Sequence, residues 1–375
     1  MTNIGDVGTL FQMLAIARRK LTPGAWDYLM GGAETETTLN RNRRALDSYV
    51  LRARALRDVS NIDTSTTLLG QKLKLPIVLA PIGSMQDLLA EGGVAPTRAA
   101  ARAGVVHMLS SVCAPGMEEV AKAVDYPKFF QLYVRGDAAW VDGTLKRALD
   151  YGYRAIALTV DRANYGRRER DIAKGHSPTA RKNAAAEVYQ ASFTWKDVER
   201  IRSNVDVPLV LKGIATAEDA EMAIEHGING VYVSNHGGRQ LDHAQGSVAA
   251  LPEIVAAVQG RAEIIVDGTI LRGTDIIKAL SLGANAVGMG RAQGIALSAG
   301  GEDAVVRMIE IVAEELRCAM ALLGAASLSD LGPDCLAPAE PLARNWLESA
   351  FPLVREGYGA AAEDIRELSL KVPGA

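Results

Sequence analysis

Cysteine is scarce in this chain of 375 residues: Cys113, Cys318 and Cys335 are the full set, and their spacing fits neither a metal site nor a disulfide framework. That usage points to a reducing compartment with buried or incidental thiols, and the cytoplasm is the expected location. An excess of charge of one sign is also missing. With 41 Lys and Arg against 44 Asp and Glu, the formal charge is −3, and the two signs are interspersed. No field gathers nucleic acid or an anionic membrane, so neither is an expected partner. No stretch approaches 18 uninterrupted apolar residues, and Met1 to Gly8 lacks a basic segment followed by an apolar run. Neither a membrane span nor a secretion leader is therefore expected. What is present is a globular composition, 48% hydrophobic and 23% charged, whose partner should be a small molecule.

Periodicity supplies the architecture. Eight short apolar runs begin at Leu75, Val105, Lys128, Ala155, Leu209, Val231, Glu263 and Ala286. Amphipathic stretches with apolar residues at three-to-four spacing separate them, among them Val94 to Ala103, Trp140 to Asp150, Ala217 to His226 and Thr274 to Leu282. Eight strand–helix units predict a closed (β/α)8 TIM barrel over residues 70–330 rather than an open sheet. Residues 1–69 read as a helical segment capping one barrel end. Glu302 to Leu323 reads as the helix that completes the eighth unit, with Glu314 and Glu315 on its outer face. The proline-bearing residues 331–375 read as an appended tail.

Barrel active sites form at the C-terminal strand ends, and polar or flexible residues recur there in this chain. Pro81-Ile82-Gly83 follows the first run, Ser110 the second, and Gln131-Leu132-Tyr133 closes the third. Thr159-Val160-Asp161 ends the fourth, Lys212 the fifth, and Ser234-Asn235-His236-Gly237-Gly238-Arg239 the sixth. The seventh enters Asp267-Gly268-Thr269-Ile270-Leu271-Arg272, and the eighth enters Gly288-Met289-Gly290-Arg291. His236 and Arg239 carry the sharpest chemistry: a neutral imidazole accepts a proton near pH 7, and a guanidinium presents a planar fork of donors to a carboxylate. Glycines beside Arg272 and Arg291, after strands seven and eight, stand where this fold often holds a phosphate with backbone N–H groups, so a phosphorylated cofactor is expected. Of the other histidines, His107 reads as a core residue within a strand, His176 and His226 as polar-loop and helix-end residues, and His243 as a neighbour of the site motif.

Ser234-Asn235-His236-Gly237-Gly238-Arg239-Gln240 is similar to the active-site signature of the FMN-dependent α-hydroxy-acid oxidase and dehydrogenase family. Trp26-Asp27-Tyr28, Gly32 to Leu39, Phe129 to Tyr133, Leu158 to Asp161, Gly166 to Glu169 and Leu211-Lys212-Gly213 resemble further family segments in the same order. The resemblance implies FMN as cofactor and oxidation of a small (S)-2-hydroxy acid, with oxygen or another carrier as acceptor. It places Pro81, Ile82, Gly83, Ser110, Gln131, Thr159, Lys212 and Ser234 around the flavin. Asp267, Gly268, Arg272, Gly290 and Arg291 fall along its ribityl and phosphate groups. It assigns the substrate carboxylate to Arg168 and Arg239 with Tyr28 and Tyr133 beside them, the base to His236, and orientation of the imidazole to Asp161. A homo-oligomer, a tetramer in the family, belongs to the same expectation.

Departures from the pattern bear on specificity. Leu271 stands where the family usually carries arginine, and Thr269 where it carries glycine. Val112 stands where glycolate oxidase-like members carry tryptophan, which opens the pocket to an acid bulkier than glycolate. Gly83 stands where several relatives have alanine, a change beside the reactive flavin edge that leaves oxidase and dehydrogenase both open. Hydride and carbanion routes are both open as well. Ala173 to Thr194 reads as a mobile lid. Two readings from other classes stand beside this one: a barrel lyase or aldolase using Lys212 as a Schiff-base nucleophile, and a flavin-binding protein without turnover.

Overall fold

The computed structural model describes residues 3–181, 187–344 and 346–351. At its centre, β4 (Ile77–Leu79), β5 (Val106–Ser110), β6 (Phe129–Leu132), β7 (Ala155–Thr159), β8 (Leu209–Ile214), β9 (Gly230–Val233), β10 (Glu263–Val266) and β11 (Ala286–Met289) pair in parallel, each with the next. β11 returns to β4 and closes the barrel. The strands are apolar at nearly every position because both faces are covered, the signature of parallel sheets. Alternate residues take alternate faces: Val78, Val106, Met108, Ala157, Val210 and Ile265 fill the interior, while Ile77, Leu79, Leu109, Leu158 and Leu211 meet the surrounding helices. The hairpin of β2 (Thr66–Leu68) and β3 (Gln71–Leu73) packs Leu68, Leu69 and Leu73 into that interior cluster.

Expected and observed strand starts agree at Ala155, Leu209, Glu263 and Ala286 and differ by one or two residues elsewhere. The largest shift has a local cause. Pro76 has no N–H to give to the ladder, so its carbonyl only accepts, from Val287 N at 2.9 Å, and β4 begins after it.

The N-terminal helices have well-marked starts. Thr9 and Gln12 form a reciprocal capping box on the helix Leu10–Lys20, and Thr22 caps the helix Pro23–Met30, whose first residue is proline. The helix Arg291–Leu323 follows β11 directly and kinks at Gly300 and Gly301. Its Glu315, expected on an outer face, instead turns onto the helix Gly273–Ser281, where Oε2 accepts from Gly273 N at 2.9 Å. Residues 331–344 and 346–351 are knitted into the body: β12 (Leu336–Pro338) pairs antiparallel with β1 (Tyr49–Leu51), and Trp346 and Phe351 are buried. The rest of the expected tail, 352–375, lies outside the described residues, as do 182–186 of the expected lid. Among the described residues no helix is long and apolar enough to cross a membrane.

One close approach and one core histidine follow from this packing. Tyr232, fully buried inside the barrel, directs its hydroxyl under Gly288, where a Cβ would lie 1.9 Å from it, so only glycine fits. His107 faces outward from β5 against the helix Val94–Ala103. Thr97 Oγ1 donates to Gly93 O at 2.7 Å, so His107 Nδ1–H donates to Thr97 Oγ1 at 2.8 Å, leaving a buried Nε2 without a partner among the described residues. Burial lowers the His107 pKa to about 3. Below the ordinary histidine value of 6.5 the unfolded chain takes up a proton that the folded chain refuses, so stability falls as pH drops from there toward 3. At pH 5 this costs about 2 kcal/mol. A His107→Leu variant should therefore lose a few degrees less in Tm between pH 7 and pH 5 than the parent; equal losses by calorimetry would exclude the effect.

Candidate active site

The C-terminal ends of the barrel strands surround a cavity that opens to solvent at its mouth. The loop after β9 supplies its centre. His236, Gly237 and Gly238 all take left-handed backbone conformations, φ 60°, 66° and 74°, which coil the chain tightly enough to turn the imidazole back over the strand end. His236 N–H donates to Ser234 Oγ at 3.1 Å. Its Nδ1 lies 3.1 and 3.3 Å from the two carboxylate oxygens of Asp161, at the end of β7, and its Nε2 lies 3.1 Å from Tyr133 Oη. A carboxylate only accepts, which assigns the proton to Nδ1 and leaves Nε2 as the acceptor facing the cavity.

Burial lowers the pKa of His236, and Asp161 partly offsets that, so the resting imidazole is neutral. Asp161 is itself buried, which raises its pKa, but the His236 contact and the charge of Lys212 outweigh burial and hold it below the ordinary carboxylate value. Gly213 makes room for this pair. At φ 112°, it sits where a Cβ would come within 2.6 Å of Asp161.

Two guanidiniums flank Tyr28, Arg239 at 4.9 Å and Arg168 at 5.9 Å from the ring centre. Arg168 is buried, stacks at 4.2 Å on Tyr165, and has its pKa pulled down to about 10 by burial and by Arg239. A buried cation so depressed gains most from a bound anion. Arg239 Nη1 donates to Gly31 O at 2.9 Å. The Tyr28 hydroxyl donates to Gly83 O at 2.7 Å, so it braces the loop after β4. Burial pushes the Tyr133 hydroxyl well above its ordinary pKa, which keeps it a donor.

On the barrel axis, Lys212 Nζ donates to Ser234 Oγ at 3.0 Å and stands 3.7 Å from Asp267 Oδ2, while Ser234 Oγ donates to Asp267 Oδ1 at 2.7 Å. A Schiff-base lysine must be unpaired, and this one is held by a carboxylate. Gln131 Nε2 donates to Thr159 Oγ1 at 2.8 Å, and Gln131 Oε1 is buried without a partner among the described residues. Ser110 is buried next to them at the end of β5. Pro81, Ile82 and Gly83 line the same cavity.

At the other end of the cavity are Gly268, Thr269, Gly290 and Arg291. Arg291 opens the helix Arg291–Leu323, is buried, donates from Nη2 to Gly31 O at 2.8 Å and from Nε to Met30 O at 3.3 Å, and is lowered to about 9 by burial and by Arg239. Thr269 holds φ 62°, costly for a β-branched residue, and its hydroxyl is buried without a partner among the described residues. Orphan polar atoms at Gln131 and Thr269, with a desolvated arginine at a helix N-terminus, fit a ligand bearing both an imide-like edge and a phosphate, as FMN does.

Arg272 does not join this group. Its guanidinium turns away to Glu315, at 2.6 and 3.1 Å, and to Ala350 O at 3.1 Å. The neighbouring Leu271 is fully buried, and the phosphate end of the cavity is left to Arg291. His243 also stays outside the cavity, with Nε2 3.3 Å from Thr35 Oγ1. The cavity also includes polar residues that the sequence analysis does not single out: Arg135, Arg162, Tyr165 and, from within the expected lid, Arg181. The density of arginine immediately after the β7 end, at 162, 167 and 168, is the signal that marks Arg162. Of the expected lid, Pro178 and Arg181 line the cavity, and Gln190 anchors its far end, accepting from Val134 N at 2.8 Å and donating to Thr159 O at 3.0 Å.

The family model for FMN-dependent dehydrogenases matches residues 17–338. Glycolate oxidase 3 from Arabidopsis thaliana is 39% identical over 349 residues, 87% of this chain and 95% of that protein. L-lactate oxidase from a Nostoc species is 41% identical, covering 88% of this chain and 98% of the other. A crystal structure of mandelate oxidase with 3,3-difluoro-2-hydroxy-3-phenylpropionic acid superimposes with a TM-score of 0.83 at 39% identity, over 90% of this chain and all of that one. A match spanning most of the chain, on a closed barrel whose mouth carries a buried imidazole, paired arginines and a phosphate-sized cationic end, places the chain in the FMN-dependent dehydrogenase family.

Proposed function

We propose that the chain oxidises an (S)-2-hydroxy acid to the 2-oxo acid, with His236 as the base and Arg168 and Arg239 as the carboxylate clamp. The observation that carries this reading is the neutral imidazole, backed by Asp161 at 3.1 Å and presenting Nε2, beside the Tyr133 hydroxyl at 3.1 Å, to the cavity that the two guanidiniums line. Fixing the carboxylate between two arginines leaves the adjacent carbon little freedom, and a hydroxyl near Tyr133 then falls within reach of Nε2. His236 takes one proton, from the hydroxyl in a hydride route or from the α-carbon in a carbanion route, and Asp161 stabilises the imidazolium that results. FMN, when bound, supplies the two-electron acceptor, from which oxygen or another carrier takes the electrons.

Lys212 places a fixed positive charge at the barrel axis, where it favours negative charge on a reduced cofactor. Gln131, Thr159, Ser110 and Ser234 with the loop 81–83 would hold the ring. Asp267, Gly268, Thr269, Gly290 and Arg291 would hold the ribityl and phosphate groups. Val112 leaves room for a substrate larger than glycolate. A tetramer in the cytoplasm completes the reading, supported by the family and by three free thiols, and sedimentation of the holoenzyme tests the assembly.

His236→Gln should slow anaerobic flavin bleaching by about 10³-fold while FMN content stays stoichiometric, because the imidazole holds no cofactor. Loss of flavin, or bleaching within tenfold of the parent, would count against the base assignment.

Because burial lowers the His236 pKa, the bleaching rate should rise with pH through an inflection below 6.5 and then level off. Asp161 holds that pKa up, so Asp161→Asn should move the inflection to lower pH and also lower the plateau. An inflection that stays in place or moves up in stopped-flow traces refutes the coupling.

A further inference from the structure

The phosphate end of the cavity relies on Arg291, since Leu271 brings no charge and Arg272 turns away to Glu315. Backbone carbonyls hold its guanidinium, Gly31 O at 2.8 Å and Met30 O at 3.3 Å. A third contact comes from far along the chain. Arg291 Cζ lies 5.7 Å over the centre of the buried Trp346 ring, within the reach of roughly 6 Å at which a ring face attracts a cation. An aromatic face fixes the plane of a guanidinium and keeps water off it, yet it brings no negative charge to compete with a phosphate.

Trp346 opens the short helix Trp346–Ala350, and the rest of that segment fastens to the same end of the barrel. Leu347, Ala350 and Phe351 are buried. Ala350 O accepts from Arg272 Nη1 at 3.1 Å, which helps to keep that arginine outside the cavity. Ser349 Oγ donates to Asp47, and Asp47 pairs with Arg43 at 2.9 Å. Arg43 in turn pairs with Asp275 at 2.8 Å, while Asp275 Oδ2 accepts from Leu271 N at 2.9 Å and Arg272 N at 3.0 Å. Contacts therefore run without a break from residues 346–351 to the turn after β10 that borders the phosphate end. The match to the family model stops at residue 338, so Trp346 and its neighbours lie beyond the matched region.

We infer that Trp346 is a positioning residue for the cofactor phosphate: docked with residues 347–351, its ring orients Arg291 so that the guanidinium meets the phosphate of FMN without first being reordered or stripped of water. Orientation fixed in advance lowers the cost of binding. The ring touches neither substrate nor flavin in this account, and its effect is confined to the end of the ligand that carries the phosphate. The inference rests on Arg291 as the phosphate-binding cation and adds the element that aims it.

The test loads the full chain with FMN or with riboflavin, which is FMN without its phosphate, and reads the dissociation constant of each from flavin fluorescence. The parent should prefer FMN. Trp346→Leu keeps apolar bulk without a π face and should weaken FMN binding by about tenfold, while riboflavin binding stays within about twofold of the parent. Trp346→Phe should lie between, about threefold below the parent in its preference for FMN, and it carries the test alone if the leucine variant does not fold. A ring that served stability only would lower both affinities together. Equal losses for the two flavins, or a parental preference for FMN in both variants, overturn the inference. Arg291→Met provides the reference and should remove most of the preference. If it does so while Trp346→Leu leaves the preference intact, the positioning role is refuted and Arg291 stands as the phosphate cation. If Arg291→Met leaves the preference unchanged, the phosphate reading fails and the role of Trp346 fails with it.

Discussion

The contact between Asp161 and His236 is the constraint around which the barrel mouth is arranged. It joins the ends of β7 and β9, two strands with β8 between them, and it survives burial because the carboxylate gains from the imidazole and from Lys212 more than it loses by leaving water. Three consecutive left-handed residues aim the ring, and a glycine at 213 leaves space for its partner. The N-terminal segment then locks the loop from outside: Asn42 and Asn235 exchange hydrogen bonds at 2.9 and 2.7 Å, and Ala33 N donates to Gly238 O at 2.8 Å. A catalytic base held this way needs little rearrangement on substrate arrival, which is the condition for efficient proton transfer.

The second organising feature is the way the fold tolerates concentrated positive charge. Among the described residues, no carboxylate neutralises the buried arginines at 168 and 291 at short range. Backbone carbonyls and tyrosine faces solvate them instead, which keeps them hydrogen-bonded while their charge remains uncompensated. An arginine that serves structure alone has carboxylate partners. The buried pair of Arg43 and Asp275, two contacts of 2.8 Å, ties the helix Thr37–Asp47 to the helix Gly273–Ser281 and leaves no charge to spare for a ligand. The division separates cations that build the barrel from cations that wait for an anion.

Much of this was legible before any coordinates. The eight strands show in the sequence because a parallel strand covered on both faces must be apolar throughout, and His236, Arg239, Asp161 and Lys212 show because they punctuate the ends of those runs. Two kinds of information were not local. Arg272 and Arg291 both follow strand-end glycines, yet only Arg291 faces the cavity. Which neighbour in a tight turn points inward depends on the left-handed twist at Thr269 and on Glu315, a residue 43 positions away that captures Arg272. The folded-back residues 336–344 and 346–351 and the arginines around Tyr165 carry no periodicity, since irregular backbone places side chains by tertiary contact rather than by repeat. Thr269 falls between these cases: its departure from the glycine pattern is visible in the sequence, while its strain and orphan hydroxyl belong to the folded chain.

One small feature has wide reach. The carbonyl oxygen of Gly31 receives Arg239 from the substrate side at 2.9 Å and Arg291 from the phosphate side at 2.8 Å. A single peptide group thus serves as the common anchor for the grips on both ligands. Any shift of one guanidinium toward its anion alters the pull on that oxygen and hence the position of the other. The two ends of the chamber thus share one hydrogen-bond acceptor on the Gly31 peptide.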